Sequence, residues 1–528
     1  MPLSTSLFRG GVLAALCQIA LAAPPVAQRS AKRSTTCRQT EVVVLGAGVA
    51  GITAAQALHN ASISDFVIVD RNDYVGGRMH HTTFGDKGDG TPYVVELGAN
   101  WIQGLHASDP GAPENPVWTF SKKWNVSNEY SDYDSILTYD ETGANNYTDV
   151  LDEYDDASDV AVANAGTILI ENLQDTSARA GFSVVGWKPK EDMHKAAVEW
   201  WNWDWDAGYS MDKSSFVFGV TGDNVTFNQF GDNDNFVIDQ YGFNKWLVGE
   251  ASTFLAANDS RLLLNTNVTK VAYSDSGVTA HFTDGECVEA QYAICTFALG
   301  VLQNDVVEFE PELPGWKQEA IDQFQMGTYT KIFYQFNETF WPEDTQYFLY
   351  ADPARRGYYP VWQSLSTEGF FPGSNIIFAT VVDEESHRIE KMSDEATMAE
   401  GLAVLRAMFP DVEVPEPTAF MYPRWTLEPW THGSYSNWPI GMTLEKHQNL
   451  RANVDALWFA GEHTSAEYFG FLHGSWFEGR EVGEKVVAMI KGNGTEMESY
   501  AVLHGTTPYS HYTDLNGWPV SSFIDFEE

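Results

Sequence analysis

Residues Glu41–Asp70 read EVVVLGAGVAGITAAQALHNASISDFVIVD, and nothing else in the chain limits the fold as strongly. A continuous apolar run, Glu41–Leu45, leads into Gly46-x-Gly48-x-x-Gly51. A helical stretch, Val49–His59, and a second apolar run, Phe66–Asp70, follow. Uninterrupted apolar runs suit parallel strands covered on both faces, so the pattern predicts a βαβ unit. Gly46 permits the tight turn, Gly48 lets the backbone approach a pyrophosphate, and Gly51 lets helix and strand pack closely. The phosphates then meet a helix N-terminus, where unpaired N–H groups and the dipole favour negative charge. Asp70, ending the second strand, is placed to accept ribose hydroxyls. A glycine-rich turn in an unrelated α/β protein is the competing reading, and the flanking strands weigh against it.

A second glycine-containing stretch, Leu457–Gly474 (LWFAGEHTSAEYFGFLHG), opens on a buried-strand run at Leu457–Ala460 and precedes a helical run at Glu478–Lys491. Nucleotide-type patterning therefore occurs at both ends of a 528-residue chain, a length that exceeds one core. It returns at 261–301, where Asp284-Gly285 suggests a hairpin turn. Between these lies a different composition. Residues 118–234 are aromatic and acidic, with acids crowded into Asp149–Asp159 and tryptophans into Trp200–Trp205, and residues 306–444 are mixed, with helices expected at Trp316–Phe324 and Asp394–Met408. We expect two interleaved domains: nucleotide-binding parts at 39–117, 235–305 and 445–492, and a substrate domain at 118–234 and 306–444. A tail follows at 493–528.

The formal charge of −42 excludes nucleic acid as a natural partner, because phosphates would be repelled. It fits either attraction of cationic substrates or simple solubility. Residues 1–23 read as a secretory signal, with Arg9 before the apolar Val12–Leu21 and a small-residue site at Ala20-Leu21-Ala22. That run is short for a membrane span, and no later segment does better. Residues 24–38 would hold a short propeptide, with a dibasic site at Lys32-Arg33. Eight sequons (Asn60, Asn125, Asn146, Asn224, Asn258, Asn267, Asn337 and Asn493) fit glycosylation of a secreted, extracellular or cell-wall protein. Beyond the signal only Cys37, Cys287 and Cys295 remain, so the chain is not a disulfide scaffold; Cys295, in QYAICTFALGVL, reads as a buried thiol. No spacing resembles a metal site.

Several motifs in order carry a resemblance: Gly76-Gly77-Arg78 just beyond Asp70, ELGANWIQG at Glu96–Gly104, YTKIF at Tyr329–Phe333, VDEESHRIE at Val382–Glu390, Pro423–Trp425, GSYSNWP at Gly433–Pro439, and Gly461–Gly474. Over about Glu41–Lys491 the chain resembles the flavin amine oxidases, most closely secreted polyamine oxidases of plants and fungi. The resemblance implies an α/β fold in which a Rossmann-like FAD-binding domain interleaves with an α+β substrate domain, in the amine oxidase two-domain architecture. It implies FAD contacts from Arg78 at the pyrophosphate, Glu462 (after Gly461) at the ribityl chain, Trp425 beside the flavin, and Gly98, Ala99 and Val268. Lys331 aligns with the family's active-site lysine, which holds a water against flavin N5; read without the family, it is an ordinary solvent-facing strand residue. Tyr435 and Phe471 match the two aromatic walls around the substrate, which in the plant enzyme occur in the opposite order, and Tyr329 lies beside them. Gln103 departs from the acid or histidine often found near the tunnel. Asp206 matches a tunnel glutamate or else is a solvated acid. Ser434 stands where mitochondrial-type monoamine oxidases carry their flavin-linking cysteine, which implies non-covalent FAD.

What the resemblance implies is hydride transfer from a neutral amine to FAD and reoxidation by O2, yielding an aldehyde, a shorter amine and hydrogen peroxide. Activity should rise with pH as the reacting nitrogen loses its proton. Rival readings are a monoamine or L-amino-acid oxidase, the latter needing a cation such as Arg424 for the substrate carboxylate, and a non-catalytic secreted binding protein on the same fold.

Overall fold

The first strand, β1 (Arg38–Leu45), the helix α1 (Val49–Asn60) and the strand β2 (Phe66–Val69) form the βαβ opening in a computed structural model that describes residues 36–106, 113–171, 173–220 and 229–501. The expected signal segment, residues 24–35, Asn224 and the tail from 502 lie outside the described residues. β1 and β2 pair in parallel, and Val42–Leu45 together with Phe66–Val69 are buried almost completely. This is what their unbroken apolar sequence requires.

The eight-stranded sheet built on this unit draws from far along the chain. Cys287–Cys295 lies parallel beside β1, and Leu457–Phe459 lies parallel on its far side. Gly277–Phe282 joins Cys287–Cys295 as an antiparallel hairpin across the Asp284-Gly285 turn. A disulfide joins Cys37 to Cys287 across 250 residues, pinning the start of β1 to its neighbour, while Cys295 is a buried free thiol. The pairing was not foreseen from three leftover cysteines.

The closing helix runs over Leu472–Ile490, six residues longer at its start than the sequence suggested, and lies along α1. Gly479 and Gly483 make this contact possible. A Cβ on Gly483 would stand 2.8 Å from the Ala54 carbonyl, and one on Gly479 would collide with the Ala50 carbonyl. The two sequence ends are thus brought backbone to backbone.

A second sheet of seven strands, with Tyr329–Gln335 near one side and Ile376–Val382 beside it, forms the other layer. Both of these strands are buried on both faces. The helices Gly315–Gln323 and Asp394–Met408 fall close to their expected positions. In the tryptophan-rich segment, Met193–Glu199 continues into a π-helical turn, Trp200–Asp204, where the Trp205 N–H reaches the Trp200 carbonyl. The extra residue per turn re-aims Trp205 and Asp206. Gly208, at φ 63°, ends the helix in the left-handed region, where a side chain would also strike the Tyr435 ring. In separate small sheets, β3 (His81–Phe84) and β4 (Tyr93–Glu96) form a hairpin, and β5 (Trp101–Ile102) pairs with Asn235–Val237.

Candidate active site

One cavity of about 580 Å3 reaches from the glycine-rich turn to the aromatic segment. At the nucleotide end it is lined by Gly46, Gly48, Asp70, Gly76, Gly77, Arg78 and Val268. No side chain caps the N-terminus of α1, so its first N–H groups are left for a ligand. Gly46 takes φ 122° with Thr296 packed against it, and a Cβ on Gly51 would overlap the Gly46 carbonyl. A Cβ on Gly48 would come 3.9 Å from the Gly77 Cα, so two bare backbone segments face each other over the phosphate position. The Asp70 carboxylate accepts from the Ala47 N–H at 2.6 Å and the Asn72 N–H at 2.7 Å, which fixes it at the end of β2. Burial raises its pKa, against the pull of these two N–H groups.

Farther along, the two sequence motifs meet directly. Arg78 Nη1 donates to Glu462 Oε1 at 2.8 Å and to the Ser434 carbonyl at 2.9 Å. Glu462 Oε2 accepts from the Gly470 N–H at 2.9 Å, from the Ser436 N–H at 3.3 Å and from the Ser436 hydroxyl. Burial is the largest influence on Glu462 and opposes ionisation, but Arg78, His463 and Ser436 together outweigh it and hold its pKa below the usual range. Gly461 and Glu462 both line the cavity. The resemblance placed Arg78 and Glu462 on different parts of a cofactor, against the alternative of a surface ion pair; the structure pairs them with each other, with Glu462 buried.

Beyond this clasp the cavity is bounded by Gly98, Ala99, Trp101, Tyr329, Trp425, Ser434, Tyr435 and Phe471. Trp425 is buried, its ring close to Gly98, and it meets Trp430 edge-on at 5.5 Å. Tyr329 and Tyr435 stand with ring centroids 6.1 Å apart, and the Tyr435 hydroxyl donates to the Asp206 carbonyl at 2.8 Å. Phe471 stacks on His473 at 5.0 Å. Gln103 and Asp206 also line the cavity, where Asp206 is half-buried. Nearby Asp234 accepts from the Gly104 N–H and the Tyr133 hydroxyl, and burial pushes its pKa up to about 7.

Lys331 is the main departure from a blind reading: it is 1 % exposed rather than solvent-facing. Its Nζ donates to the Gly98 carbonyl at 2.9 Å and to Asn100 Oδ1 at 2.8 Å, just behind the cavity wall. An ammonium has three N–H donors, and these contacts take two. Burial lowers its pKa, with the Glu96 carboxylate opposing. Asn100 was visible only as one letter of ELGANWIQG, with no role attached.

Among the sequons, Asn60, Asn125, Asn146, Asn258, Asn337 and Asn493 are exposed. Asn267 is half-buried, lines the cavity and donates its amide to Thr283 Oγ1 at 3.0 Å. Arg424 points elsewhere, to Asp394 at 2.5 Å, the Tyr422 hydroxyl at 2.7 Å and the carbonyls of Glu390 and Met392.

Comparison with known proteins agrees with this geometry. Residues 209–487 match the family model described as flavin containing amine oxidoreductase, and residues 44–114 match an NAD(P)-binding Rossmann-like domain. Polyamine oxidase 7 of Oryza sativa subsp. japonica is 37% identical over 461 residues, covering 83% of this chain and 93% of the relative. Polyamine oxidase 1 of Zea mays is 36% identical, covering 84% and 90% respectively. A solved structure of putrescine oxidase bound to putrescine superposes with a TM-score of 0.66 at 19% identity, over 86% of this chain and 100% of that one, and shares the fold.

Proposed function

We propose that the chain, which belongs to the flavin containing amine oxidoreductase family, is an FAD-dependent oxidase of polyamines. The observation that carries this reading is the single cavity in which a bare-backbone phosphate cradle, the Arg78–Glu462 clasp and an aromatic arm bearing Asp206 are continuous. The donor set fits FAD: the N-terminus of α1 and Arg78 would hold the pyrophosphate, Asp70 the ribose, Glu462 the ribityl chain, and Gly98, Ala99 and Trp425 the ring. When bound, the flavin accepts a hydride from the amine's α-carbon and passes the electrons to oxygen.

The protein's own residues orient and select. Tyr435 and Phe471 flank the amine chain, where aromatic faces take methylenes by dispersion and tolerate a cation. Asp206 meets a cationic nitrogen of the substrate, and Gln103 offers it a neutral amide. Charged Lys331 keeps one N–H beyond its bonds to Gly98 and Asn100, which would hold a water beside the ring's reacting nitrogen. The reacting amine must be neutral, so turnover rises toward neutral and mildly alkaline pH.

The substrates we propose are spermine, spermidine or their acetylated forms, cleaved to an aldehyde, a shorter amine and hydrogen peroxide. Ser434 at the flavin edge supports FAD held without a covalent link. We propose that the protein is exported; the apolar Val12–Leu21, the Cys37–Cys287 disulfide and the exposed sequons support this reading. Among the described residues no helix is long and apolar enough to cross a membrane. The L-amino-acid oxidase reading loses its carboxylate clamp, because Arg424 is committed to Asp394.

A peroxide assay of purified protein with spermine, N-acetylspermine, benzylamine and L-leucine tests the assignment. Turnover of a polyamine well above the other two is expected. Preference for benzylamine or L-leucine, with no polyamine oxidised, overturns it.

A further inference from the structure

Glu96 ends β4 and sits immediately before the Leu97–Asn100 turn that cradles Lys331. The cradle leaves little freedom. Gly98 supplies a carbonyl and Asn100 an amide oxygen, and Asn100 Nδ2 donates to the Val237 carbonyl at 3.0 Å, which orients the amide with its oxygen toward Nζ. Beneath it, Glu96 is 4 % exposed. Its Oε1 accepts from the Phe243 N–H at 2.6 Å, while Oε2 is buried with no hydrogen-bond partner. A cavity of about 10 Å3, lined by Glu96, Asn100 and apolar side chains including Phe333, adjoins it. That volume is about one water molecule's worth.

A carboxylate with one oxygen bonded and the other bare is an expensive arrangement in an apolar interior unless a charge elsewhere rewards it. The groups facing Glu96 are few. His81 is its cross-strand partner on β3, and burial lowers that imidazole's pKa, with Asp239 opposing. Asp239, before the Tyr241–Phe243 turn, is bound to Lys245 at 2.8 Å and to the N–H groups of Ser127 and Tyr241. The half-buried Tyr74 phenol also feels the Glu96 charge and is held well above its usual pKa, chiefly by burial. Lys331 is the remaining cation: burial pushes Glu96 up to about 7, and the Phe243 N–H and Lys331 oppose that rise.

We propose that Glu96 is a positioning residue that keeps Lys331 charged in the resting enzyme, acting through the protein interior from behind the cradle and not by contact. Burial alone drives Lys331 toward the neutral amine; the buried negative charge opposes this. The pair holds the same number of protons whether both groups are charged or both are neutral; the step that pH drives is loss of the shared proton, which leaves a buried carboxylate beside a neutral amine, and the Glu96 charge resists that loss. The inference rests on the proposed flavin site, because it concerns the charge presented to the ring, but it concerns a property the polyamine assignment does not touch.

The test is a pH titration of the visible absorption spectrum of the resting, FAD-loaded protein, since a nearby charge shifts flavin bands without turnover. Wild type, Lys331→Met, Glu96→Gln and the double variant are compared. The expected result is a spectral midpoint present in wild type, absent in Lys331→Met, and lower by about one pH unit or more in Glu96→Gln, a tenfold or greater loss of proton affinity. The double variant should match Lys331→Met. An unmoved midpoint in Glu96→Gln overturns the proposal, as does a Glu96→Gln effect that persists without Lys331. Where Glu96→Gln does not fold, Glu96→Asp decides: withdrawing the carboxylate by one methylene must shift the midpoint, and a wild-type value overturns the proposal. Failure of the polyamine assay would leave this titration intact, so the two outcomes are separable.

Discussion

Replacing Arg78 by alanine should reveal how the N- and C-terminal motifs hold each other. Glu462 is 4 % exposed, and its carboxylate depends on Arg78, Ser436 and Gly470. Without Arg78 it keeps only neutral donors. Removing one partner of a buried pair costs about 3–5 kcal/mol because a bare charge is left behind. Ser436 and Gly470 still bind Oε2, so the lower end, about 3 kcal/mol, is expected for Arg78→Ala. Glu462→Gln leaves the partly exposed Arg78 with water and the Ser434 carbonyl, and should cost less. In the double variant no uncompensated charge remains, so most of the Arg78→Ala penalty should disappear. The assay is urea unfolding of the FAD-free protein for the four members of the cycle, with FAD titration in parallel. A coupling of about 2 kcal/mol is predicted. Strict additivity, within about 0.5 kcal/mol, would refute the reasoning.

Other consequences follow from burial and packing. His463 and His473 are buried with pKa values pushed down to about 4 and about 3. Between pH 6.5 and 4 the unfolded chain therefore binds more protons than the folded one, and stability falls with falling pH, by about 3 kcal/mol per histidine at the acid end; a His473→Gln variant should show a flatter unfolding profile across this window. Tyr435→Ala removes one aromatic wall, and should raise KM for polyamines about tenfold or more while leaving the resting flavin spectrum in place, as steady-state kinetics and absorbance would show. Gly479→Ala, which helix propensity alone would make stabilising by about 1 kcal/mol, should instead destabilise by about 1–3 kcal/mol in urea unfolding, because its Cβ collides with the Ala50 carbonyl.

The βαβ opening was readable because Val42–Leu45 of β1 and Phe66–Val69 of β2 are buried on both faces and apolar throughout, so strand, turn glycine and helix announce themselves locally. The same logic fails where partners are distant. Cys37 and Cys287 lie 250 residues apart, and three cysteines leave three pairings open. The start of the closing helix was hidden because His473-Gly474-Ser475 looks like loop, whereas Gly474 is needed against the Tyr468 carbonyl. Lys331 invites a solvent-facing assignment, and only a strand covered on both sides makes it a buried ammonium. The family resemblance supplied its role, but not its bonds to Gly98 and Asn100. The π-helical turn that aims Trp205 and Asp206 into the cavity leaves no local signal, since the same tryptophans would fit an ordinary α-helix.

The joint cradle itself is open to direct measurement: the absorbance spectrum of the purified protein, before and after trichloroacetic acid precipitation. Flavin bands near one FAD per chain, fully released into the supernatant, are predicted from the Gly46–Gly51 turn, the Arg78–Glu462 pair and a serine rather than a cysteine at cavity-lining position 434. Colourless protein that fails to take up added FAD would contradict the account.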